Sequence, residues 1–259
     1  MPSVKLSVAI ITLNEETNIG RCIDSVAQVA DEIVVVDSFS VDKTKEICLA
    51  KGVRFIENPF EGHIQQKNFA LRQATHDHVL SLDADEALSG ELADSIQAVK
   101  TDWNADAYQF NRLTSYCGQW IRHCGWYPNR RVRLWDRRKG IWGGVNPHDR
   151  VIMEKGSKVS LIAGDLLHYS FPSIKSHVQT ANNFSEIAAR EAVRRKKNVN
   201  LVIHVLLNPA YTFAYGYIFR LGFLDGYYGF VICAISAFAN FLKYSKIRQK
   251  TVQKTVENE

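Results

Sequence analysis

The chain has 259 residues, 46% of them hydrophobic and 23% charged, and a net charge of +5. It is long enough to bury a sizeable core in one large domain or two, with the composition of an ordinary globular protein. Its five cysteines, Cys22, Cys48, Cys117, Cys124 and Cys233, are odd in number and lack paired C-x-x-C spacing, which argues against a disulfide framework and a zinc site.

Three strand–helix units open the chain. Ser7 to Leu13 is β-branched and apolar, a buried strand. A helix is expected from about Thr17 to Val29, with Ile19, Cys22, Ile23 and Val26 at helical spacing. Glu32 to Asp37 is the second strand, Ser40 to Thr44 begins the next helix, and Val53 to Ile56 is a short third strand. A helix from about Gln65 to Ala74 leads into an apolar run from Val79 to Asp83. Strands alternating with helices imply crossover connections and a mostly parallel sheet.

Past Asp85 the pattern changes. Glu91 to Val99 is helical, and Ala107–Phe110, Arg131–Trp135 and Val159–Ile162 are short strands. A long amphipathic helix is expected from about Ser173 to Lys197, with Val178, Ala181, Phe184, Ile187, Ala188 and Ala192 on its apolar stripe. Leu201 to Leu242 is apolar and aromatic but interrupted by Asn208-Pro209, Arg220, Asp225-Gly226 and Asn240. A bilayer span needs about 20 predominantly apolar residues, so two helices lying in the membrane interface fit better. A buried helical hairpin or a dimer interface is the alternative.

Positive charge concentrates in the second half, in Arg130-Arg131-Val132-Arg133, Arg137-Arg138-Lys139, Arg194-Arg195-Lys196-Lys197 and the residues after Leu242. Such clusters suit phosphates or anionic headgroups. No nucleic-acid reader module accompanies them, and no nucleic-acid partner is expected. Leu6–Leu13 is too short for a signal peptide, so the cytoplasm is the expected compartment.

Candidate chemistry gathers at strand ends. Asp83 and Asp85 follow the Val79 run, and two carboxylates two residues apart repel unless a cation or donors neutralise them. A hard divalent ion that also takes phosphate oxygens is the natural neutraliser. Thr12, Asn14 and Glu15 end strand one and Asp37 ends strand two, on the edge where ligands of parallel sheets sit. Asp37 there either accepts hydrogen bonds from a base or ribose, or caps the turn that follows. Lys67, between strand three and the acidic pair, meets a phosphate or a carboxylate of the site, or is a solvated helix charge. Arg131 and Arg133, on alternate positions of a strand, are expected to share one face. They suit phosphates or other anionic groups, or else mark a solvated charged edge.

Taken together, Ile11–Glu15, Val35–Ser38, Gln66–Ala70 and Leu82–Glu86 resemble the family 2 glycosyltransferases of GT-A fold. Val145–Asp149, Leu167–Tyr169 and Leu221–Gly226 resemble the bacterial branch that adds glucose, β-1,4-linked, to the lipopolysaccharide inner core. The resemblance extends to about Lys246. It implies an α/β fold: a Rossmann-like, mostly parallel sheet with helices on both faces, plus C-terminal amphipathic helices. Residues 1–100 would bind the nucleotide sugar, 101–198 the acceptor, 199–250 the membrane, and 251–259 would form a disordered tail.

By the same resemblance, Thr12, Asn14, Glu15, Asp37, Lys67, Asp83, Arg131 and Arg133 bind the donor, with UDP-glucose the family-level expectation. Asp85, Asp83 and His168 match the positions around Mg2+ or Mn2+, which stabilises the leaving nucleoside diphosphate. Asp149 matches the base that deprotonates the acceptor hydroxyl, with His148 orienting it or the acceptor; a turn with Asp149 paired to Arg150 is the structural alternative. The implied enzyme is an inverting glycosyltransferase, peripheral on the inner face of the cell membrane, acting on a lipid-linked saccharide. Transfer to polyprenyl phosphate is the near alternative, and a non-catalytic nucleotide-sugar-binding protein a more distant one. A nucleotidyltransferase would carry a glycine-rich loop after strand one, where Leu13–Thr17 has none.

Overall fold

Strand β1, Leu6–Thr12, alternates between two cores: Leu6, Val8 and Ile10 enter one and Ala9 the other. Strand β2, Glu32–Asp37, does the same, with Val35 on the first side and Val34 and Val36 on the second. A strand covered on both faces has no polar side to show, which explains the continuous apolar runs. Helices α1 (Ile19–Val26), α2 (Thr44–Ala50) and α4 (Gly90–Thr101) cover the first side through Ile19, Cys22, Cys48, Leu92 and Ile96. Helix α3 (His63–Gln73) covers the second through Ala70 and Leu71. The computed structural model describes residues 3–145, 148–195 and 199–256, without the side chains of His148 and 254–256. Asn146, Pro147, Lys196 and Lys197, which belong to expected motifs, lie outside the described residues.

The chain divides into two compact units, Met1–Leu113 with Pro128–Tyr169, and Thr114–Tyr127 with Ser170–Glu259. The first holds β1, β2, β3 (Arg54–Glu57), β4 (His78–Asp83) and β5 (Glu86–Leu88), and most of β6 (Ala107–Tyr116). β7 (Gln119–Ile121) belongs to the second unit. β8 (Arg130–Asp136), β9 (Gly140–Val145) and β10 (His148–Met153) belong to the first, as does most of β11 (Val159–Phe171). The main sheet has nine strands in the order β3-β2-β1-β4-β8-β6-β11-β5, with β7 on β6. β3, β2, β1 and β4 run parallel, while β8 pairs antiparallel with both β4 and β6. β9 and β10 form a separate antiparallel ribbon.

In the second unit, α5 (Ile174–Arg194) starts from a capping box at Ser173 and Ser176. Its buried positions are His177, Ala181, Ser185 and Ala189, whereas Val178, Phe184 and Ile187 of the expected stripe are exposed. Small residues let α5 approach α7 (Gly226–Val256) closely, Ala189 packing with Tyr244 and Ile247. The larger side chains are left outside. Asn208-Pro209 does not break the apolar segment. Leu201 to Phe219 is one helix in which π-helical turns flank α6 (Asn208–Ala214), with Pro209 where a helix start tolerates the missing N–H. The break falls at Arg220–Asp225, and α7 then runs through Val256, into the segment expected to be a disordered tail.

Candidate active site

The register of the parallel strands builds the site. Thr12 lies beside Asp37, and Ile11 beside Asp83, so three strand ends finish at one level. β2 and β4 flank β1 on opposite sides, which makes this edge the topological switch point where open α/β sheets bind ligands. Thr12 is buried and its Oγ1 has no hydrogen-bond partner among the described residues, a donor left for a ligand. Asp37 takes the Ser40 N–H at 2.7 Å and the Ser40 hydroxyl at 2.5 Å, so it does cap the following turn. Asn14, with φ of 54°, accepts from Val41 N–H while its own N–H donates to Ser40 Oγ. These bonds hold the two loops together. Between them Phe39 sits at φ 64° and is 54% exposed, a strained conformation for a bulky residue. Glu15 accepts from Asn18 Nδ2 at 2.7 Å; burial raises its pKa, and the nearby Asp85 adds to the rise.

Lys67 organises the centre. Only 3% exposed, its Nζ lies 3.0 Å from Asp83 Oδ1, 2.7 Å from Asp149 Oδ2, and 4.4 Å from the Trp142 ring centroid. It is therefore a buried bridge between two carboxylates and not a solvated helix charge. Asp149 reaches it from the β9–β10 ribbon, which α3 holds in a second place. Asn68 Nδ2 donates to the Trp142 carbonyl at 2.8 Å and Asn68 Oδ1 accepts the Trp142 N–H at 3.1 Å. The Trp142 indole donates to Ser81 Oγ inside the core. The side chain of His148 lies outside the described residues.

Arg131 and Arg133 do not share a face. The β6–β8 register slips between Tyr108 and Gln109, leaving Val132 opposite Gln109 and Leu134 opposite Tyr108. Arg133, between them, turns inward and is buried, while Arg131 is exposed. Arg133 Nη2 donates to Asp83 Oδ2 at 3.2 Å and to Glu86 Oε1 at 2.9 Å. Glu86, which sequence reasoning did not single out, is fully buried. It accepts the Asp83 N–H at 3.0 Å on its other oxygen and has Arg112 Nη1 at 3.5 Å. Its position inside the Asp83–Glu86 motif was its only signal. Burial alone would raise the pKa of Asp83, but Lys67 and then Arg133 hold it well below the usual carboxylate range.

Asp85 and His168 make a separate pair, with Oδ2 and Nε2 3.2 Å apart. Antiparallel pairing of β5 with β11 puts His168 opposite Glu86, and the Tyr169 N–H donates to the Asp85 carbonyl. Of the three expected metal positions, the structure thus joins Asp85 with His168 and binds Asp83 to Lys67 and Arg133. Among the described residues no group of three or more His, Cys, Asp or Glu converges on a metal position. One carboxylate with one imidazole still fits an ion that keeps most of its shell for phosphate oxygens and water.

A parallel half-sheet that continues into antiparallel strands, with acidic side chains at its switch point, is the arrangement expected of the GT-A fold. Residues 7–158 match the family model described as glycosyl transferase family 2, and the chain belongs to that family. It is 34% identical to an uncharacterized glycosyltransferase of Rickettsia typhi, over 96% of this chain and 88% of that protein. It is 28% identical to the lipopolysaccharide core biosynthesis glycosyltransferase LpsC of Rhizobium meliloti, over 100% and 97%. Among solved structures, the mannosyltransferase PcManGT from Pyrobaculum calidifontis, in complex with GDP-Man and Mn2+, shares the fold. The TM-score is 0.53 at 15% identity, over 95% of this chain and 87% of that one.

Proposed function

We propose that this glycosyltransferase is an inverting, metal-dependent enzyme. It transfers a hexose, glucose by family expectation, from a nucleotide sugar such as UDP-glucose to a hydroxyl of a lipid-linked saccharide in lipopolysaccharide core synthesis. The likeness to LpsC along the whole chain supports the acceptor class. The observation that carries the mechanism is the Lys67 bridge, which brings Asp149 from a separate ribbon to the end of β4. A base that acts in line must sit across the anomeric carbon from the leaving phosphate, and it must be held there.

Thr12, Asn14, Glu15 and Asp37 line the nucleotide side, and the exposed ring of Phe39 flanks it. Asp85 and His168 would hold Mg2+ or Mn2+, which when bound offsets the charge of the departing diphosphate. Asp83 is an internal anchor: it fixes Lys67 and Arg133, and Lys67 fixes Asp149 through Oδ2. Asp149 Oδ1 is then the oxygen presented to the acceptor hydroxyl, and it takes that proton as the hydroxyl attacks.

The second unit supports attachment to the inner face of the cytoplasmic membrane. Leu201–Phe219 and Gly222–Gln253 are long and apolar enough to cross a bilayer, by length and composition alone. Two contacts favour lying on it. The Arg220 carbonyl takes the Cys124 N–H, and Asp225 is buried against the His123 ring and main chain. The other end is held where the His204 ring meets Tyr244. With both ends tied into one unit, the helix presents its flank, including Tyr211 and the 71% exposed Phe219, to lipid.

Asp149→Asn and Asp85→Ala test the chemistry, with transfer and donor hydrolysis as readouts. Asp149→Asn should lose about 10²-fold or more in transfer while keeping donor binding. Full turnover in that variant would overturn the base and favour an acceptor that is already ionised, such as polyprenyl phosphate. Asp85→Ala should lose metal-dependent hydrolysis of the nucleotide sugar.

A further inference from the structure

We infer that Arg112 and Arg131 form a binding site for a phosphate group, set beside Asp149 so that the acceptor carries it. The two arginines are cross-strand neighbours. Phe110 pairs with Arg131, Asn111 with Arg130, and the Arg112 N–H donates to the Asn129 carbonyl at 2.9 Å. Directly paired residues of antiparallel strands share a sheet face, and so do residues two apart, so Arg112 and Arg131 are diagonal neighbours on one face.

Charge accounting shows which cation is left over. Lys67 serves Asp83 and Asp149; Arg133 serves Asp83 and Glu86; Arg112 reaches Glu86. That is four cations, counting Arg131, against three carboxylates, and among the described residues Arg131 makes no ion pair. Arg112 Nε is buried without a hydrogen-bond partner among the described residues, as are Arg133 Nε and Nη1. Surplus guanidinium charge with unused N–H groups is relieved by an oxyanion. A phosphate matches it best, because its oxygens take forked N–H pairs from two arginines at once.

A phosphate reaches this face from either substrate, as a substituent of the acceptor or as the donor diphosphate. Asp85 and His168 already provide for the diphosphate. Arg112 instead shares Glu86 Oε1 with Arg133, which reaches Asp83, and Lys67 bridges Asp83 to Asp149, so a continuous chain of ion pairs links the arginine pair to the group that meets the acceptor hydroxyl. Only this acceptor assignment rests on the glycosyltransferase mechanism above, since binding is measured without turnover.

The test titrates the full-length protein with inorganic phosphate by calorimetry, comparing wild type with Arg131→Gln, Arg112→Gln and Arg131→Lys. Each Gln variant should weaken phosphate binding roughly tenfold, and Arg131→Lys less. Melting curves establish folding, and Arg131→Gln, at an exposed position, serves if Arg112→Gln does not fold. UDP with Mg2+ should bind all variants within about twofold of wild type. On membrane-extracted lipid-linked oligosaccharide, phosphatase treatment should slow wild type and leave Arg131→Gln unaffected. Equal phosphate affinity across the set overturns the site. A parallel loss of UDP affinity overturns the acceptor assignment and gives the arginines to the donor. If phosphate binds through Arg131 while wild type transfers nothing to the extract, the site stands and the acceptor class under Proposed function fails.

Discussion

Replacing Lys67 with Met keeps the length and apolar stem of the side chain and removes only its charge. In the wild type that charge lies within 3.0 Å of Asp83 and 2.7 Å of Asp149 and is almost completely buried. Removing one partner of a buried ion pair costs about 3–5 kcal/mol, because the other charge stays desolvated. Arg133 still holds Asp83, so the lower figure applies, and it falls chiefly on Asp149. A loss of about 3 kcal/mol lowers Tm by roughly 6–12 °C in a chain of this size. Circular dichroism melts should show that fall. Lys67→Met/Asp149→Asn should recover much of it, because the double variant strands no charge at position 149. Transfer should drop about 10²-fold in the single variant, with the base no longer held in line. The pH dependence gives an independent readout. Asp83 has a lower pKa folded than unfolded, so its contribution is complete above the unfolded value of about 4 and is lost as pH falls below it. The stability gap between wild type and Lys67→Met should therefore narrow from pH 5 to pH 3. A Lys67→Met protein that melts within 2 °C of wild type, or a double variant less stable than the single, would refute the bridge.

Phe39→Gly should relieve about 1 kcal/mol of left-handed strain, raising Tm by roughly 2–4 °C, and weaken nucleotide binding measured by titration with UDP and Mn2+. Gly164→Ala should unfold or aggregate the first unit: at φ +90° a β-carbon would lie 2.3 Å from the Leu92 backbone nitrogen, which cannot move aside. Ile218→Ser/Phe219→Ser should cut partition onto anionic vesicles about tenfold or more in co-sedimentation while leaving Tm unchanged, since both side chains are exposed. Deleting everything after Leu201 tests membrane contact poorly, because Ile232, Tyr244 and Ile247 of α7 are core residues of the second unit.

The legible parts of this chain are those where local pattern and global burial agree. β1, β2 and β4 are largely apolar because both of their faces are covered, and their carboxyl ends carried Thr12, Asp37 and Asp83 to one edge as expected. β5 was invisible: three residues long, it is embedded in the acidic motif and exists only through its pairing with β11. The role of Glu86 was equally hidden, since its partners Arg112 and Arg133 lie 26 and 47 residues away. Alternation placed Arg131 and Arg133 on one face, and a single register slip separated them. On α5, periodicity found an apolar stripe but not the neighbour that would cover it. Ala181, Ser185 and Ala189 won the packing against α7, because small residues allow the closer approach.

The errors share a physical origin that bears on the site itself. Each concerns a side chain whose position is set by a partner far away in sequence, and the proposed catalytic arrangement is built almost wholly from such partners. Lys67 and Asp149 are 82 residues apart, Asn68 and Trp142 are 74 apart, and Arg133 and Asp83 are 50 apart. Adjacent residues of α3 therefore hold the ribbon that carries Asp149, one through the ribbon's main chain and the other through the Asp149 carboxylate. The parallel half of the sheet supports α3, so the position of Asp149 is referenced to the strand end that finishes at Asp83. On the proposed mechanism, an acceptor hydroxyl approaching Asp149 meets a carboxylate positioned by the same buried lysine that neutralises the acidic motif, and disturbance on either side reaches the other through one ammonium group.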